Sequence, residues 1–208
     1  MNSTNIDNES YVPAGMPPLD NSGRTTSFFE FWPMWLMYLP VAIQWLLLSI
    51  RYRSLSLPLL ANPGIPLSGM VGVSKSAVFD LAGDYARQWI LPWTLFEVSV
   101  EPIEQQVPRA VATIKSGSLE FPLVGKPNIG CRGAGVCLLH DEAELEEYLR
   151  GFPPGGCIQF QQLSQWDAEA GVFYVRDTET ASGKVTSLTL KYTPYVIGDG
   201  RRTLSELV

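Results

Sequence analysis

The run Phe121-Pro122-Leu123-Val124-Gly125-Lys126-Pro127-Asn128-Ile129-Gly130-Cys131-Arg132-Gly133-Ala134-Gly135-Val136 carries the densest chemistry in the chain. A strand-like segment ends in Lys126 and enters a loop with spaced glycines at Gly130, Gly133 and Gly135, after which a second strand begins. Glycines let backbone N–H groups approach phosphate oxygens closely, and the Lys126 ammonium adds a point charge that Arg132 can reinforce. The pattern suits a loop that covers an anion. It is not a Walker A loop, because no GK[ST] follows the glycines, and it is not a dinucleotide fingerprint, because it opens a strand rather than a helix. Taken alone, it also describes a glycine-rich hairpin with no ligand.

Other runs stand around it. Lys75 lies in Val73-Ser74-Lys75-Ser76, ahead of a helical stretch and of Trp89-Ile90-Leu91-Pro92. Ile158-Gln159-Phe160-Gln161-Gln162-Leu163 is followed by Glu169-Ala170-Gly171-Val172-Phe173-Tyr174. In Tyr195-Val196-Ile197-Gly198-Asp199-Gly200-Arg201-Arg202-Thr203-Leu204-Ser205-Glu206-Leu207, Gly198 to Gly200 form a tight turn, Thr203 can cap a helix and Glu206 completes a capping box. By themselves these are a turn and a helix start, Glu169 is a solvated turn residue, and Arg201 and Arg202 are solvated surface cations.

In this order, the motifs from Lys75 to Val208 resemble the ATP-grasp superfamily. The segment 195–207 is similar to the VGDG-x-x-T-x-x-EL motif of ligases related to cyanophycin synthetase and, more distantly, D-alanine:D-alanine ligase. The resemblance implies an α+β fold: an ATP-grasp-like nucleotide-covering subdomain, an antiparallel sheet with helices, preceded here by an N-terminal hydrophobic helix. It implies that Lys75 and Lys126 are the two phosphate lysines and that Gly130, Arg132, Gly133 and Gly135 belong to the flap over the phosphates. Gln161, Gln162 and Leu163 would form the hinge along the adenine, although Gln162 stands where many members have Glu. Glu169 would bind the ribose hydroxyls, and Lys191 would face the phosphates or the acyl substrate.

The activity so implied is ADP-forming ligation of an unidentified carboxylate to an unidentified amine, the carboxylate being activated by phosphorylation from ATP. Mg2+ is expected for the full-length enzyme, because bridging the phosphates offsets their charge. In the family, the metal carboxylates follow the VGDG motif and include Glu-x-Asn. No Glu-x-Asn occurs after Lys126, so no metal ligand is assigned in this chain, and no catalytic residue is named. The reading is the ATP-binding N-terminal portion of such a ligase. The alternative is a noncatalytic membrane-anchored nucleotide-binding or interaction module.

These residues need elements to position them. Hydrophobic periodicity and turn residues predict helices over Lys75 to about Arg87, Glu101 to Lys115 and Asp141 to Arg150, with Asp141 as cap and Glu144 as its capping-box partner. Strands are predicted near Thr94 to Val100, Leu123 to Lys126, Val136 to Leu139, Cys157 to Gln162, Gly171 to Arg176 and Val185 to Tyr192, the last two as a hairpin. Residues 1–27 read as a flexible tail, 28–53 as a membrane-associated segment, 54–74 as a connector rich in Pro and Gly, and 75–208 as a partial ATP-grasp domain.

Composition narrows the alternatives. At 208 residues and 46% hydrophobic, the chain has material for a real core. A net charge of −6 gives no overall field for nucleic-acid phosphates, so nucleic acid is not expected as a partner. One histidine, His140, excludes a multi-histidine metal site, and three cysteines without a CxxC pair argue against a zinc module or a secreted disulfide scaffold. From Phe28 to Ile50 the chain is almost wholly apolar, with Trp32, Trp35 and Tyr38 at one end and Arg51 and Arg53 at the other. That pattern predicts membrane association through residues 28–50, with the ATP-grasp portion cytoplasmic. Pro40 inside it would kink a spanning helix or favour an interfacial segment, and a buried core helix is the other reading.

Overall fold

The computed structural model describes residues 14, 16–18, 32–70, 72–131, 133–177, 179–180, 182–192, 196 and 198–207. The chain divides into two compact units, one of residues 32–164 and one of residues 1–31 with 165–208.

The first unit opens with α1 (Met34–Tyr52), a continuous helix that carries Pro40 inside it. Its only buried residue is Ser49, so it is not packed as a core helix among the described residues. By length and composition it can cross a membrane. Arg53, in the left-handed region, ends it, and two 3-10 turns, Leu57–Leu60 and Pro66–Gly69, follow.

The predicted helix from Lys75 to Arg87 is instead two short ones, α2 (Lys75–Asp80) and α3 (Asp84–Arg87). Ala82 closes a turn onto Phe79 and Gly83 takes an extended backbone, which resets the chain before α3. Ser74 caps α2 by accepting from the Ala77 N–H at 3.2 Å.

The sheet contains β1 (Trp93–Glu97), β2 (Leu123–Pro127), β3 (Cys137–Leu139) and β4 (Cys157–Gln162), in the order β1-β4-β2-β3 and antiparallel throughout. Its helices are α4 (Ile103–Ser116), which runs through Pro108, and α5 (Glu142–Arg150). These two pack against each other and cover one face. Side-chain alternation sends Phe96, Leu123, Leu139, Ile158 and Phe160 into that layer, where they meet Ala110, Ile114, Leu145 and Leu149. Phe160 is fully buried, and truncating such a residue to alanine costs about 3–5 kcal/mol.

Asp141 caps α5 as predicted, its Oδ1 accepting from Ala143 and Glu144 N–H groups at 2.9 Å. Glu144 departs from the predicted capping box. Its Oε2 accepts from the His140 N–H at 2.8 Å, one residue earlier than Asp141, and lies 2.9 Å from His140 Nδ1. Those bonds hold the Glu144 carboxyl below its ordinary range.

In the second unit, β5 (Glu169–Arg176) and β6 (Gly183–Lys191) form an antiparallel hairpin with a register shift at Phe173/Tyr174. Asp199 closes its turn with both carboxylate oxygens: Oδ1 accepts from Arg201 and Arg202 N–H groups, and Oδ2 accepts from Arg202 Nε at 2.7 Å. The one-turn helix α6 (Leu204–Leu207) follows, with the Thr203 N–H donating to Glu206 at 2.8 Å.

Candidate functional site

The face of the sheet opposite the helices holds two of the candidate residues, Lys126 and Gln161. Alternation on β2 sends Val124 and Lys126 there, and on β4 it sends Gln159 and Gln161. Lys126 stands opposite Gln159, and its Nζ donates diagonally to Gln161 Oε1 at 2.6 Å. Gln161 Nε2 in turn donates to the Leu91 carbonyl at 3.1 Å, which fixes the amide orientation. Burial holds the Lys126 ammonium below the ordinary lysine range, and the nearby charge of Lys75 pushes in the same direction.

Lys75 arrives at the same place from α2. Its Nζ donates to the carbonyls of Pro127 at 2.7 Å and of Gly130 at 3.2 Å, and its own N–H donates to the Asn128 carbonyl at 2.8 Å. The first turn of α2 is thus fastened to the start of the glycine loop. Two ammonium groups share one end of the sheet, and among the described residues neither has an ion-pair partner.

Asn128 was not singled out by sequence reasoning, and it is the joint of the arrangement. Its buried side chain accepts from the Ser76 N–H at 3.0 Å and donates to Ser76 Oγ at 2.9 Å, while its backbone N–H donates to the Cys157 carbonyl at 2.9 Å. The signal available was its place, two residues after Lys126 and after a proline that ends the strand.

Loop geometry requires glycine at two positions. Gly133 and Gly135 both have φ near +70°, and a Cβ on Gly135 would lie 2.8 Å from the Pro127 ring. Tyr148, on α5, donates its hydroxyl to the Gly135 carbonyl at 2.7 Å, tying the far end of the loop to the helix layer. Burial pushes the Tyr148 phenol up to about 12. A cleft of about 640 Å3 opens between the loop and the turn before β4, lined by Asn128, Gly130, Gly135, Phe152 and Cys157 among others. Arg132 lies outside the described residues.

Sheet alternation separates the remaining hinge residues. Gln162 projects to the helix side, where its Oε1 accepts from the Glu120 N–H at 3.2 Å and its Nε2 donates to the Pro122 carbonyl at 3.4 Å, so it does not join Lys126 and Gln161. Leu163 follows the end of β4 and is half-buried. Gln159 is fully buried, and both its amide atoms lack a hydrogen-bond partner among the described residues. In the second unit, Glu169 and Lys191 are register partners, and Lys191 Nζ donates to Glu169 Oε2 at 2.7 Å with both side chains exposed.

The lysine pair and the loop suit a polyanion: they offer two cations and backbone close enough to contact phosphate oxygens. The described residues contain no cluster of three His, Cys, Asp or Glu side chains able to hold a metal ion.

No family model and no curated protein matches the sequence. Among solved structures, D-alanine-D-alanine ligase from Helicobacter pylori is similar at a TM-score of 0.39 and 14% identity, over 62% of this chain. The chain spans 40% of the length of that ligase chain.

Proposed function

We propose that the chain is the ATP-covering portion of an ATP-grasp carboxylate–amine ligase. The observation that carries this reading is the convergence of Lys75 and Lys126 at the base of the glycine loop. Two like charges placed together are unfavourable unless an anion joins them, and beside burial the Lys75 charge helps hold the Lys126 ammonium below the ordinary lysine range. A nucleotide polyphosphate supplies that anion, and ATP bound there would be the phosphate donor that activates a carboxylate for attack by an amine.

Within this reading, Lys75 and Lys126 hold phosphate charge, and Gly130, Gly133 and Gly135 bring backbone N–H groups over it. Gln161 orients the Lys126 ammonium, and the backbone of Gln161 to Leu163 lies along the base. Glu169 and Lys191 must exchange their mutual ion pair for ribose and substrate contacts, which costs little at an exposed pair. The test is hydrogen exchange of the full chain with and without ATP. Protection confined to residues 130–135 supports the reading, and unchanged exchange throughout the loop removes it.

The chain is further proposed to be membrane-associated through α1, with the ligase portion on the side of Arg51 and Arg53. Support comes from its apolar length, its exposure and those flanking cations. Deleting Met34 to Ile50 is expected to move the protein from the membrane pellet to the soluble fraction, and no change on fractionation would remove the anchor.

A further inference from the structure

The chain does not leave the end of α1 into solvent. After Arg53 it turns back along the helix, and the Leu55 carbonyl accepts from Trp45 Nε1 at 3.0 Å. Trp45 lies seven residues before the end of α1 at Tyr52, so the bond fastens the connector back onto the last turns of the helix. Trp45, Leu48, Ser49, Tyr52, Leu57 and Pro58 enclose a small pocket of about 220 Å3 between helix and connector.

The connector held at that level is apolar on its outside. Leu55 is 71% exposed and Leu60 66%, and Leu57, Leu67 and Met70 are exposed as well. Its backbone is largely closed on itself: Leu59 N–H donates to Ser56, Ala61 to Pro58, Ile65 to Asn62, Ser68 to Ile65 and Met70 to Leu67. Asn62 ties the two 3-10 turns together, its N–H donating to Ser68 Oγ at 2.7 Å and its Nδ2 to the Ser68 carbonyl. A segment with exposed leucines and internally satisfied backbone groups suits the headgroup–acyl boundary, where unpaired backbone is costly. Charge points the same way. Between Phe31 and Phe79 there is no acidic side chain, and the charged residues are Arg51, Arg53 and Lys75, in a chain whose net charge is −6.

We infer that residues 54–70 form a docking surface for an anionic lipid bilayer, with Leu55, Leu57 and Leu60 inserted at the boundary and Arg51 and Arg53 against lipid phosphates. The inference rests on the reading of α1 as the membrane helix. It places Lys75, five residues after Met70, close to the bilayer surface.

Depth quenching separates the two readings. The full chain carrying Cys131→Ser, Cys137→Ser and Cys157→Ser takes an NBD label at Leu46→Cys, Leu55→Cys, Leu60→Cys or Glu147→Cys in mixed phosphatidylcholine–phosphatidylserine vesicles. Labels at 55 and 60 are expected to lose most of their emission to a shallow spin-labelled lipid and little to iodide, while the label at 147 does the reverse. That lipid quenching is expected to weaken in pure phosphatidylcholine and in the Arg51→Gln/Arg53→Gln variant. Iodide quenching at 55 and 60 with lipid quenching at 46 overturns the docking surface and leaves the helix standing. Iodide quenching at 46 overturns both. Labels at 55 and 60 shielded from both quenchers mean that protein covers the connector, and lipid quenching indifferent to phosphatidylserine removes the anionic preference; either result overturns the inference.

Discussion

Lys75 Nζ donates to the Gly130 carbonyl at 3.2 Å, joining the first turn of α2 to the first glycine of the loop. With its bond to the Pro127 carbonyl, this contact sets where the loop begins. The same ammonium shapes the start of the loop and, in the proposed function, also meets phosphate charge.

Lys75→Met keeps the apolar stem and removes both bonds. Each charged hydrogen bond to a carbonyl is worth about 1.5–3 kcal/mol, less at a half-exposed site. We expect faster amide exchange across residues 130–135 together with a Tm lowered by several degrees. Loop exchange equal to wild type would show that Lys75 does not hold the loop.

At the other end, Tyr148→Phe deletes the bond to the Gly135 carbonyl while keeping the ring that fills the space beside Gly125. The expected cost is about 1 kcal/mol, read by urea denaturation, with faster exchange near Gly135. The wild-type phenol pKa is raised in the fold, so its stabilisation is complete below the unfolded value and is lost as pH rises through about 12. A Tyr148 phenol that titrates at the ordinary tyrosine value in a spectrophotometric titration would contradict this.

Much of this was legible beforehand, and what was missed has a physical reason. The strand Cys157–Gln162 and the Asp141 cap follow from local patterns, because alternation and capping are decided within a few residues. The lysine convergence follows from local sequence only with the family resemblance, since α2 reaches β2 across about fifty residues. Gln162 shows the limit most clearly. Neighbouring glutamines on a strand face opposite ways, and which one shares the Lys126 face depends on the register with β2, which one sequence does not reveal. Gln159, between Ile158 and Phe160, faces away from the helix layer and is nevertheless fully buried, which strand alternation alone does not reveal.

Gln159 provides a sharp stability test. A buried amide with both atoms unpaired costs about 1–3 kcal/mol, and an apolar side chain of similar shape removes that cost. Gln159→Leu is therefore expected to raise Tm. A lowered Tm would mean that the amide has a partner in the folded chain.

The lysine pair predicts a pH dependence. Because the folded chain holds the Lys126 proton less tightly than the unfolded chain, unliganded stability rises with pH between the folded and unfolded pKa values. Polyphosphate binding requires the ammonium, so its affinity should fall as pH rises through the depressed pKa, earlier than for an ordinary lysine. Carbon-13 titration of the Lys126 side chain with and without inorganic tripolyphosphate checks this. A pKa unmoved by tripolyphosphate would contradict the assignment.

The most direct test is calorimetric titration of ATP into the full chain and into Lys126→Ala. The account predicts binding by the wild-type chain and about a tenfold or greater loss of affinity in the variant, the loss of one charged hydrogen bond to phosphate, with Tm nearly unchanged. Equal affinity in the two proteins, or no ATP binding by the wild-type chain, would contradict it.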